Sequence, residues 1–415
     1  MSHYKPYPAY KDSGVEWLGR VPEHWQLRRL KHMARFSGGG TPARDNPEFW
    51  SGDIPWVSPK DMKSELITGA EECITAAGLS GSSSSMVPAE RVLMVVRSGI
   101  LKHTIPVAIN SVPVALNQDM KAIWLDTDYL SSPFFMRWVQ GLNDDLLKVW
   151  LKQGATVESI EQDYLSDTLI PVPPVSEREQ IVQRLDRETA RIDALIEKKT
   201  RFIELLREKR QALITHAVTK GLDPNVTMKD SGVEWLGEVP EHWEMVPLKY
   251  VTPSLTVGIV VNPSDYVADE GLPFLYGGDI GEGVIFAESA RRISPEHSQR
   301  NAKTRLNAGD LVTVRVGAPG VTAVVPPECE GGNCASVMLI RRGEFNSDWL
   351  CYTMNSRVVR YQVEVVQYGA AQEQFNISHA VDFLIPVPPV EEQSQIASVL
   401  NQEGGRVDAL LSKTE

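Results

Sequence analysis

Cysteine is scarce in this sequence. Its 415 residues include four cysteines, which are Cys73, Cys329, Cys334 and Cys351, too few and too scattered for the framework of a disulfide-stapled secreted domain. Cys329 and Cys334 have four residues between them, and no second cysteine or histidine pair lies nearby to complete a zinc site. We therefore expect ordinary buried or surface thiols, a reducing cytoplasmic environment and no bound metal.

Long apolar runs and positive net charge are also missing. No segment is apolar over the length that a bilayer span requires, and residues 1–5, MSHYK, are too polar for a signal peptide, so we expect a cytoplasmic protein. The net charge of −12 counts against nucleic-acid binding, although a local basic cleft can lie on an acidic protein. The length and the 42% hydrophobic content predict two to three globular domains.

Catalytic motifs are absent from the sequence. It contains no phosphate loop of the GxxxxGK[ST] type, no HExxH and no GxSxG. An amino-methyltransferase should show Asn or Asp followed by Pro-Pro and an aromatic residue, and the segment NPEF at 46–49 does not match. His24 and His242 are interpreted as structural turn residues, because no carboxylate or nucleophile is spaced with them. We predict no catalytic residue, and an enzyme with two diverged domains remains a weaker alternative.

A long helical segment follows Leu169–Val175, which reads LIPVPPV. The segment to Lys220 contains neither Gly nor Pro after Pro174, and Ser176 is a plausible N-cap. Apolar residues recur at steps of three and four, which predicts a coiled-coil seam: Ile181, Leu185, Ile192, Leu195, Phe202, Leu206 and Leu213. About 44 helical residues at ~1.5 Å each would form a rod of roughly 66 Å. Such a rod separates two parts of the chain.

The chain contains an internal repeat. Lys11–Trp25, KDSGVEWLGRVPEHW, recurs at Lys229–Trp243 with 14 of 15 positions identical, and LIPVPPV recurs at Leu384–Val390. The inserts inside this frame, Gln26–Thr168 and Glu244–Phe383, share little sequence and are predicted to be small α+β domains. One frame with two unlike inserts indicates two sites of the same kind but different specificity.

Two sets of loops are candidates for ligand contact. Glycine permits close backbone approach, and Arg or Lys at a strand end can contact phosphate or guanine. The alternative for each single residue is ordinary turn chemistry with solvated charges. The candidates in the first insert are Gly39, Thr41, Trp56, Lys60, Arg97, Lys102 and His103, and those in the second are Tyr276, Gly278, Arg315, Gly317, Asn333 and Ser336.

Three features together resemble the specificity subunit of type I restriction–modification systems. These are the repeated SGVEWLG-x-VPEHW frame, the IPVPP segment before a long helix, and GGGTP followed by GDIPW. The resemblance implies an α+β fold with two target-recognition domains in a pseudo-twofold arrangement, joined by two long antiparallel coiled-coil helices. The implied domains are residues 1–168, a central helix 169–222, residues 223–383, and a second helix 384–415 that is interpreted as truncated, since it is about 20 residues shorter than the first.

The resemblance also implies a function. Each target-recognition domain would bind one half of a bipartite, asymmetric site in double-stranded DNA, and the helices would dock two methyltransferase subunits, with restriction subunits joining them. S-adenosylmethionine, ATP and Mg would then belong to those partners, and this chain would be non-catalytic. Ile181, Leu185 and Ile192 are predicted to bind a partner, because the short second helix would leave them uncovered. A coiled-coil scaffold that binds proteins without recognising DNA is the remaining alternative.

Overall fold

A computed structural model describes residues 6–152, 154, 156–367 and 376–414. The chain divides into two compact units, Met1–Leu195 and Ile196–Glu415, and the division falls within one long helix. Each unit mixes strands and helices, so the predicted α+β class is confirmed. In the described part of the chain, no helix combines the length and apolarity needed to cross a membrane.

The described residues of the first unit form twelve strands and four short α-helices. The strands are β1 (Tyr10–Asp12), β2 (Arg20–Pro22), β3 (Gln26–Arg29), β4 (Ala34–Gly38), β5 (Trp50–Val57), β6 (Leu66–Ile67), β7 (Cys73–Ile74), β8 (Val92–Val95), β9 (Val107–Asn110), β10 (Ala115–Leu116), β11 (Met120–Leu125) and β12 (Leu169–Val172). The helices are α1 (Ala76–Ser80), α2 (Ser132–Gly141), α3 (Asn143–Trp150) and α4 (Gln162–Asp167).

The helix α5 (Val175–Lys220) follows β12, as the sequence predicts. It ends where Gly221 adopts a φ of +73°, a left-handed conformation that glycine adopts without steric cost. Its first turns pack on the first unit through Ile181 and Val182. Arg137 of α2 reinforces this contact, because its Nη2 lies 2.8 Å from Asp186 Oδ1 on α5.

After α5, the part of the second unit that the structure describes has fourteen strands and six α-helices. The strands are β13 (Met228–Asp230), β14 (Glu238–Pro240), β15 (Glu244–Pro247), β16 (Leu255–Val257), β17 (Val267–Ala268), β18 (Leu272–Leu275), β19 (Ile280–Gly281), β20 (Val284–Ile285), β21 (Arg291–Ile293), β22 (Leu311–Thr313), β23 (Thr322–Val324), β24 (Asn333–Cys334), β25 (Met338–Ile340) and β26 (Leu384–Val387). The helices are α6 (Leu248–Val251), α7 (Pro295–Arg300), α8 (Ser347–Asn355), α9 (Arg357–Gln367), α10 (Ile377–Ala380) and α11 (Val390–Thr414).

The two inserts share a core topology although their sequences share little, and β6 of the first and β17 of the second have no counterpart in the other. The main sheet of the first unit has the order β4-β11-β8-β9-β6, and that of the second has β16-β25-β22-β23. A smaller sheet holds β10-β5-β7 in the first unit and β24-β18-β21 in the second, and in each the first two strands are parallel. The apolar runs of β8 and β22 are fully buried. One scaffold therefore carries two different surfaces.

The repeated frame forms the same clasp in both units. His24 Nε2 lies 2.9 Å from Glu177 Oε2, and Trp25 Nε1 donates to the same oxygen at 3.2 Å. In the second unit Glu392 contacts the equivalent His-Trp pair at 2.8 and 3.1 Å. The statement that these histidines lack a carboxylate partner is therefore wrong: the partner lies about 150 residues later in the chain, at the start of α5 or α11.

The Glu177 carboxylate is stabilised in its charged form. Desolvation by burial raises its pKa, but hydrogen bonds from Tyr7, His24 and Trp25 together outweigh burial and hold the pKa below its usual value. The same contacts act on Tyr7, where burial and the neighbouring Glu177 raise the phenol pKa to about 12.

Within the second unit, α11 runs antiparallel to the distal part of α5. Gly221 lies beside the Glu392 carboxylate at the start of α11. Ile214 and Leu400 are buried in the same core. Lys199 Nζ donates to the carbonyl O of Thr414 at 2.7 Å, near the end of α11. The residue numbers of the paired positions thus decrease along α5 as they increase along α11. The pairing therefore covers α5 from about residue 199 onward.

Candidate nucleic-acid interface

One end of the main sheet in the first unit collects four loop segments. β4 and β8 end where β11 begins, because both run antiparallel to β11. The amide N of Gly40, beyond β4, donates to the carbonyl O of Leu116 at the end of β10 (2.9 Å). The amide N of Asn117 donates to the carbonyl O of Val57 at the end of β5 (3.0 Å). We call residues 39–44, 58–61, 96–98 and 117–119 the first edge.

The glycines of the first edge are required by close packing. A Cβ on Gly39 would lie 2.1 Å from the carbonyl O of Asn117, so only glycine fits there. Trp56 is 3% exposed, and its Nε1 donates to the carbonyl O of Gly40 at 2.9 Å. The prediction that Trp56 contacts DNA is therefore wrong, because its ring is buried beneath the loop. Thr41 is exposed and its hydroxyl contacts the side chain of Gln118.

Two predicted cations lie at the first edge. Arg97 follows β8 with 55% of its side chain exposed, and its Nε donates to Asp119 Oδ1 at 2.7 Å. Lys60 is exposed in the turn after β5, which is held by a hydrogen bond from the amide N of Ser58 to Asp61 Oδ2 (2.8 Å). The structure thus brings Gly39, Thr41, Lys60 and Arg97 to one surface.

Lys102 and His103 lie beside the first edge rather than on it. Both are exposed in the connection between β8 and β9. The Asn143 side chain at the start of α3 donates to the carbonyl O of His103 at 3.4 Å. Their contact with DNA stays a prediction.

The second unit has the equivalent edge, which comprises residues 258–261, 276–279, 314–317 and 335–337. The amide N of Gly258, beyond β16, donates to the carbonyl O of Val337 at 2.9 Å, and the amide N of Ala335 donates to Leu275 O at the end of β18 (2.8 Å). The turn after β18 repeats the turn after β5, because the amide N of Tyr276 donates to Asp279 Oδ2 at 2.8 Å. Gly278 occupies the position of Lys60 in that turn.

Arg315 occupies the position of Arg97, two residues beyond the end of its strand. It is half-buried, and desolvation lowers the pKa of its guanidinium. Its Nη2 donates to Asn376 Oδ1 at 2.9 Å. Gly317, with a φ of +86°, is exposed in the turn that follows.

The other predicted residues of the second unit differ in accessibility. Burial raises the pKa of Tyr276, and the guanidinium carbon of Arg291 lies 4.2 Å from the centre of its ring. Ser336 is exposed with a φ of +59°. Asn333 is fully buried and its Nδ2 donates to the carbonyl O of Asn301 (3.0 Å) and to Thr304 Oγ1 (2.9 Å). The prediction that Asn333 contacts DNA is therefore wrong, since its amide holds the fold together.

Sequence reasoning missed several side chains at these edges. In the second unit, Arg300 and Lys303 line an open depression of about 550 Å³ together with the exposed Val260 and Val261. The two cations are three residues apart around the end of α7, a spacing that could have drawn attention to them. In the first unit, Lys121 at the start of β11 is half-buried, and desolvation lowers the pKa of its ammonium group.

Arg44 is a further basic residue of the first edge. Its guanidinium carbon lies 4.0 Å from the centre of the Trp50 ring, and its Nη2 donates to Glu72 Oε2 at 3.0 Å. The hydrogen bond from Arg44 lowers the pKa of the Glu72 carboxyl. This arginine is thus held against an aromatic face and a carboxylate.

The predicted partner residues on α5 are exposed to different degrees. Ile181 is half-buried against the core of the first unit, so part of its surface is covered within the chain. Leu185 is half-buried, whereas Ile192 is 55% exposed. Leu195, one turn later, is also 55% exposed, which extends the apolar stripe along the middle of the helix.

Sequence comparison places the first half of the chain in a known family. Residues 22–205 match the family described as type I restriction modification DNA specificity domain. The Escherichia coli EcoR124I/EcoR124II specificity subunit is 35% identical over 198 residues, which is 48% of this chain and 46% of that protein. The match thus spans about half the length of that relative.

A longer alignment links the chain to the MjaVIII specificity subunit of Methanocaldococcus jannaschii. The two are 23% identical over 402 residues, or 92% of this chain and 86% of that protein. The Escherichia coli EcoBI specificity subunit is 26% identical over 318 residues, 72% of this chain and 64% of that protein.

Solved structures show the same fold. A chain from a study of complex assembly and conformational transition of the type I R-M system matches with a TM-score of 0.71 and 18% identity, covering 95% of this chain and 93% of that one. The HsdS subunit from Thermoanaerobacter tengcongensis matches with a TM-score of 0.54 and 18% identity, covering 97% and 94%. The resemblance found in the sequence is therefore confirmed: the chain is related to the specificity subunits of type I restriction–modification systems, whose DNA specificity domain matches residues 22–205.

Proposed function

We propose that this chain is a DNA-specificity subunit that recognises a bipartite, asymmetric site in double-stranded DNA. The observation that carries the proposal is the pair of equivalent edges on one topology with different side chains. Lys60 faces outward at the first edge where the second has Gly278, and the exposed Thr41 is matched by the exposed Val260. Base edges are distinguished by hydrogen-bond donors, acceptors and methyl groups, so these differences favour two unlike half-sites.

Local charge supports DNA binding despite the net charge of −12. Cations lie at both edges: Lys60 and Arg97 at the first, Arg315 at the second with Arg300 and Lys303 beside it. The potential at a surface depends on the nearest charges, because salt screens interactions beyond about 8–10 Å. These cations, of which Arg97 pairs with Asp119 and Arg300 with Glu296, can therefore contact phosphate on a protein that is acidic as a whole.

We further propose that the chain is non-catalytic and assembles with two methyltransferase subunits and with restriction subunits. S-adenosylmethionine, ATP and Mg would be bound by those subunits. The proposal is supported by the lack of a methyltransferase signature in the sequence and by the similarity to proteins that are named as specificity subunits of restriction enzymes. The exposed Ile192 and Leu195 on α5 offer an apolar surface for such docking.

The alternative is a coiled-coil scaffold that binds proteins without recognising a DNA sequence. The exposed Ile192 and Leu195 on α5 would suit that role too. Binding of the full chain, co-expressed with its methyltransferase subunit, to duplex DNA separates the two. DNA recognition predicts an affinity that falls linearly with salt on a logarithmic scale, and adenine methylation at one bipartite motif in the host genome. A complex that forms normally but methylates no defined motif and binds all duplexes equally would favour the scaffold.

A further inference from the structure

We infer that Asp119 orients Arg97 to bind the major-groove edge of a guanine, so that the half-site facing the first edge contains a guanine at that position. The inference rests on the proposed function and specifies which base one side chain recognises. It is carried by the geometry of the ion pair, in which Arg97 Nε donates to Asp119 Oδ1 at 2.7 Å.

The carboxylate is fixed by the strand that carries the arginine. The carbonyl O of Asp119 accepts from the amide N of Val96 at 2.8 Å and from that of Arg97 at 3.3 Å. The amide N of Asp119 donates to Asn117 Oδ1 at 2.9 Å, which closes the turn between β10 and β11. The backbone of Asp119 is therefore held against that of Arg97, and the Asp119 side chain is 22% exposed.

The ion pair leaves a specific set of donors available. A guanidinium has five N–H groups in one plane, and the contact with Asp119 occupies the one on Nε. Within the described part of the chain, the four N–H groups of Nη1 and Nη2 make no hydrogen bond, and the side chain is 55% exposed. Two parallel donors in this arrangement match the O6 and N7 acceptors of guanine.

The same two donors could instead bind two phosphate oxygens, and the carboxylate decides between the partners. A negative charge 2.7 Å from Nε offsets part of the attraction between Arg97 and an anionic phosphate. A guanine edge carries no net charge, so the Asp119 carboxylate weakens the contact of Arg97 with guanine less than its contact with phosphate. Because the ion pair holds the guanidinium in place before binding, less side-chain entropy of Arg97 is lost on binding. This favours hydrogen bonds with strict directions, such as those to guanine O6 and N7.

The second edge lacks this carboxylate at the equivalent turn. Val337, which is buried, stands where the first edge has Asp119, and both accept a hydrogen bond from the neighbouring loops through their backbone. Arg315 instead contacts the Asn376 amide oxygen. The inference is made for the half-site bound by the first unit.

The test uses the full chain co-expressed with its methyltransferase subunit and a duplex carrying the methylated motif. Each guanine of the motif is replaced in turn by 7-deazaguanine, which loses N7 but keeps Watson–Crick pairing. Loss of the whole bidentate contact corresponds to about 5- to 150-fold weaker binding. Because 7-deazaguanine keeps O6, we expect one guanine in the first half-site at which the replacement weakens binding by part of that range. Arg97→Ala should weaken binding by the full range and should no longer respond to the replacement.

Asp119→Asn tests the positioning role. Removing the negative charge should raise affinity for unrelated duplex DNA, while the preference for guanine over adenine at that position should fall by about tenfold. Asp167→Asn is the matched control, since it removes an exposed carboxylate of the same insert that pairs with Lys31. Its affinity for unrelated duplex DNA and its preference for guanine should both stay as in the wild type.

The outcomes separate the inference from the proposed function. Unchanged guanine preference in Asp119→Asn, or a salt slope reduced by about one in Arg97→Ala with no sensitive guanine, would overturn the inference and assign Arg97 to phosphate. A wild-type complex that recognises no motif at all would overturn the proposed function instead. If Arg97→Ala loses thermal stability, Arg97→Lys supplies the measurement, since it keeps the charge but not the paired donors.

Discussion

A four-residue insertion between Arg187 and Glu188 tests whether α5 sets the distance between the two half-sites. The insertion point lies beyond the part of α5 that packs on the first unit through Ile181 and Val182. Every residue from Ala190 to Phe202 is exposed, so the added turn meets no packed core before the pairing with α11 begins.

The magnitude follows from helix geometry. Four residues add ~6 Å of rise and about 40° of rotation beyond a full turn. DNA rises ~3.4 Å per base pair along one strand and turns by a similar angle per base pair, at roughly 10–10.5 per turn. The preferred spacer between the half-sites should therefore lengthen by about one or two base pairs, and the bases of each half-site should stay the same.

The assay is methylation mapping of the host genome with the variant chain. Deletion of Glu188–Arg191 is the matched control, because it shortens the helix by the same ~6 Å and should shorten the spacer by a similar number of base pairs. Normal activity with an unchanged spacer in both variants would refute the idea that the helix measures distance. Altered half-site bases would show that the inserts depend on the frame.

Three further predictions concern single residues. Arg97→Ala and Arg315→Ala should each weaken binding of cognate duplex by ~1–3 kcal/mol at physiological salt, and unchanged affinity in a titration would remove that arginine from the interface. Because contacts hold the pKa of Glu177 below its usual value, the carboxylate contributes stability above pH 4.5 that is lost as pH falls through its folded pKa; unfolding by urea should show a smaller loss in Glu177→Gln. Ile192→Asp should weaken co-purification with the methyltransferase subunit without lowering the melting temperature, and undiminished co-purification would place docking elsewhere.

The long helix could be predicted because its signals are local. The prolines before Ser176, the three-four spacing of apolar residues and Gly221 at the end all act within a few turns, and α5 spans Val175–Lys220. The internal repeat likewise predicted that both units begin with the same local structure, since nearly identical segments fold alike.

The common topology of the two inserts could not be predicted, because it depends on short strands paired over long separations. β24 has two residues, and its partner β18 lies about sixty residues earlier, so neither leaves a periodic pattern in the sequence. The clasp of His24 and Glu177 was missed for the same reason, with 153 residues between the two side chains.

The errors at the candidate interface share a cause. Trp56 and Asn333 were placed at the surface because a polar or amphipathic side chain in a glycine-rich loop suggests ligand contact. Both are buried, and each donates a side-chain N–H to a backbone carbonyl within the fold. The exposure of Arg97 could be predicted because a cation two residues beyond a buried strand has few ways to avoid solvent, and its contact with DNA stays a prediction.

Exchange of one insert tests the central claim most directly. Gln26–Thr168 is replaced by the corresponding insert of a relative, and the adenines methylated in the host genome are mapped. The account predicts that one half of the bipartite motif changes to that of the donor while the other half and its position stay as they were. A change in both halves, or in neither, in a complex that still methylates DNA would contradict the assignment of one half-site to each insert.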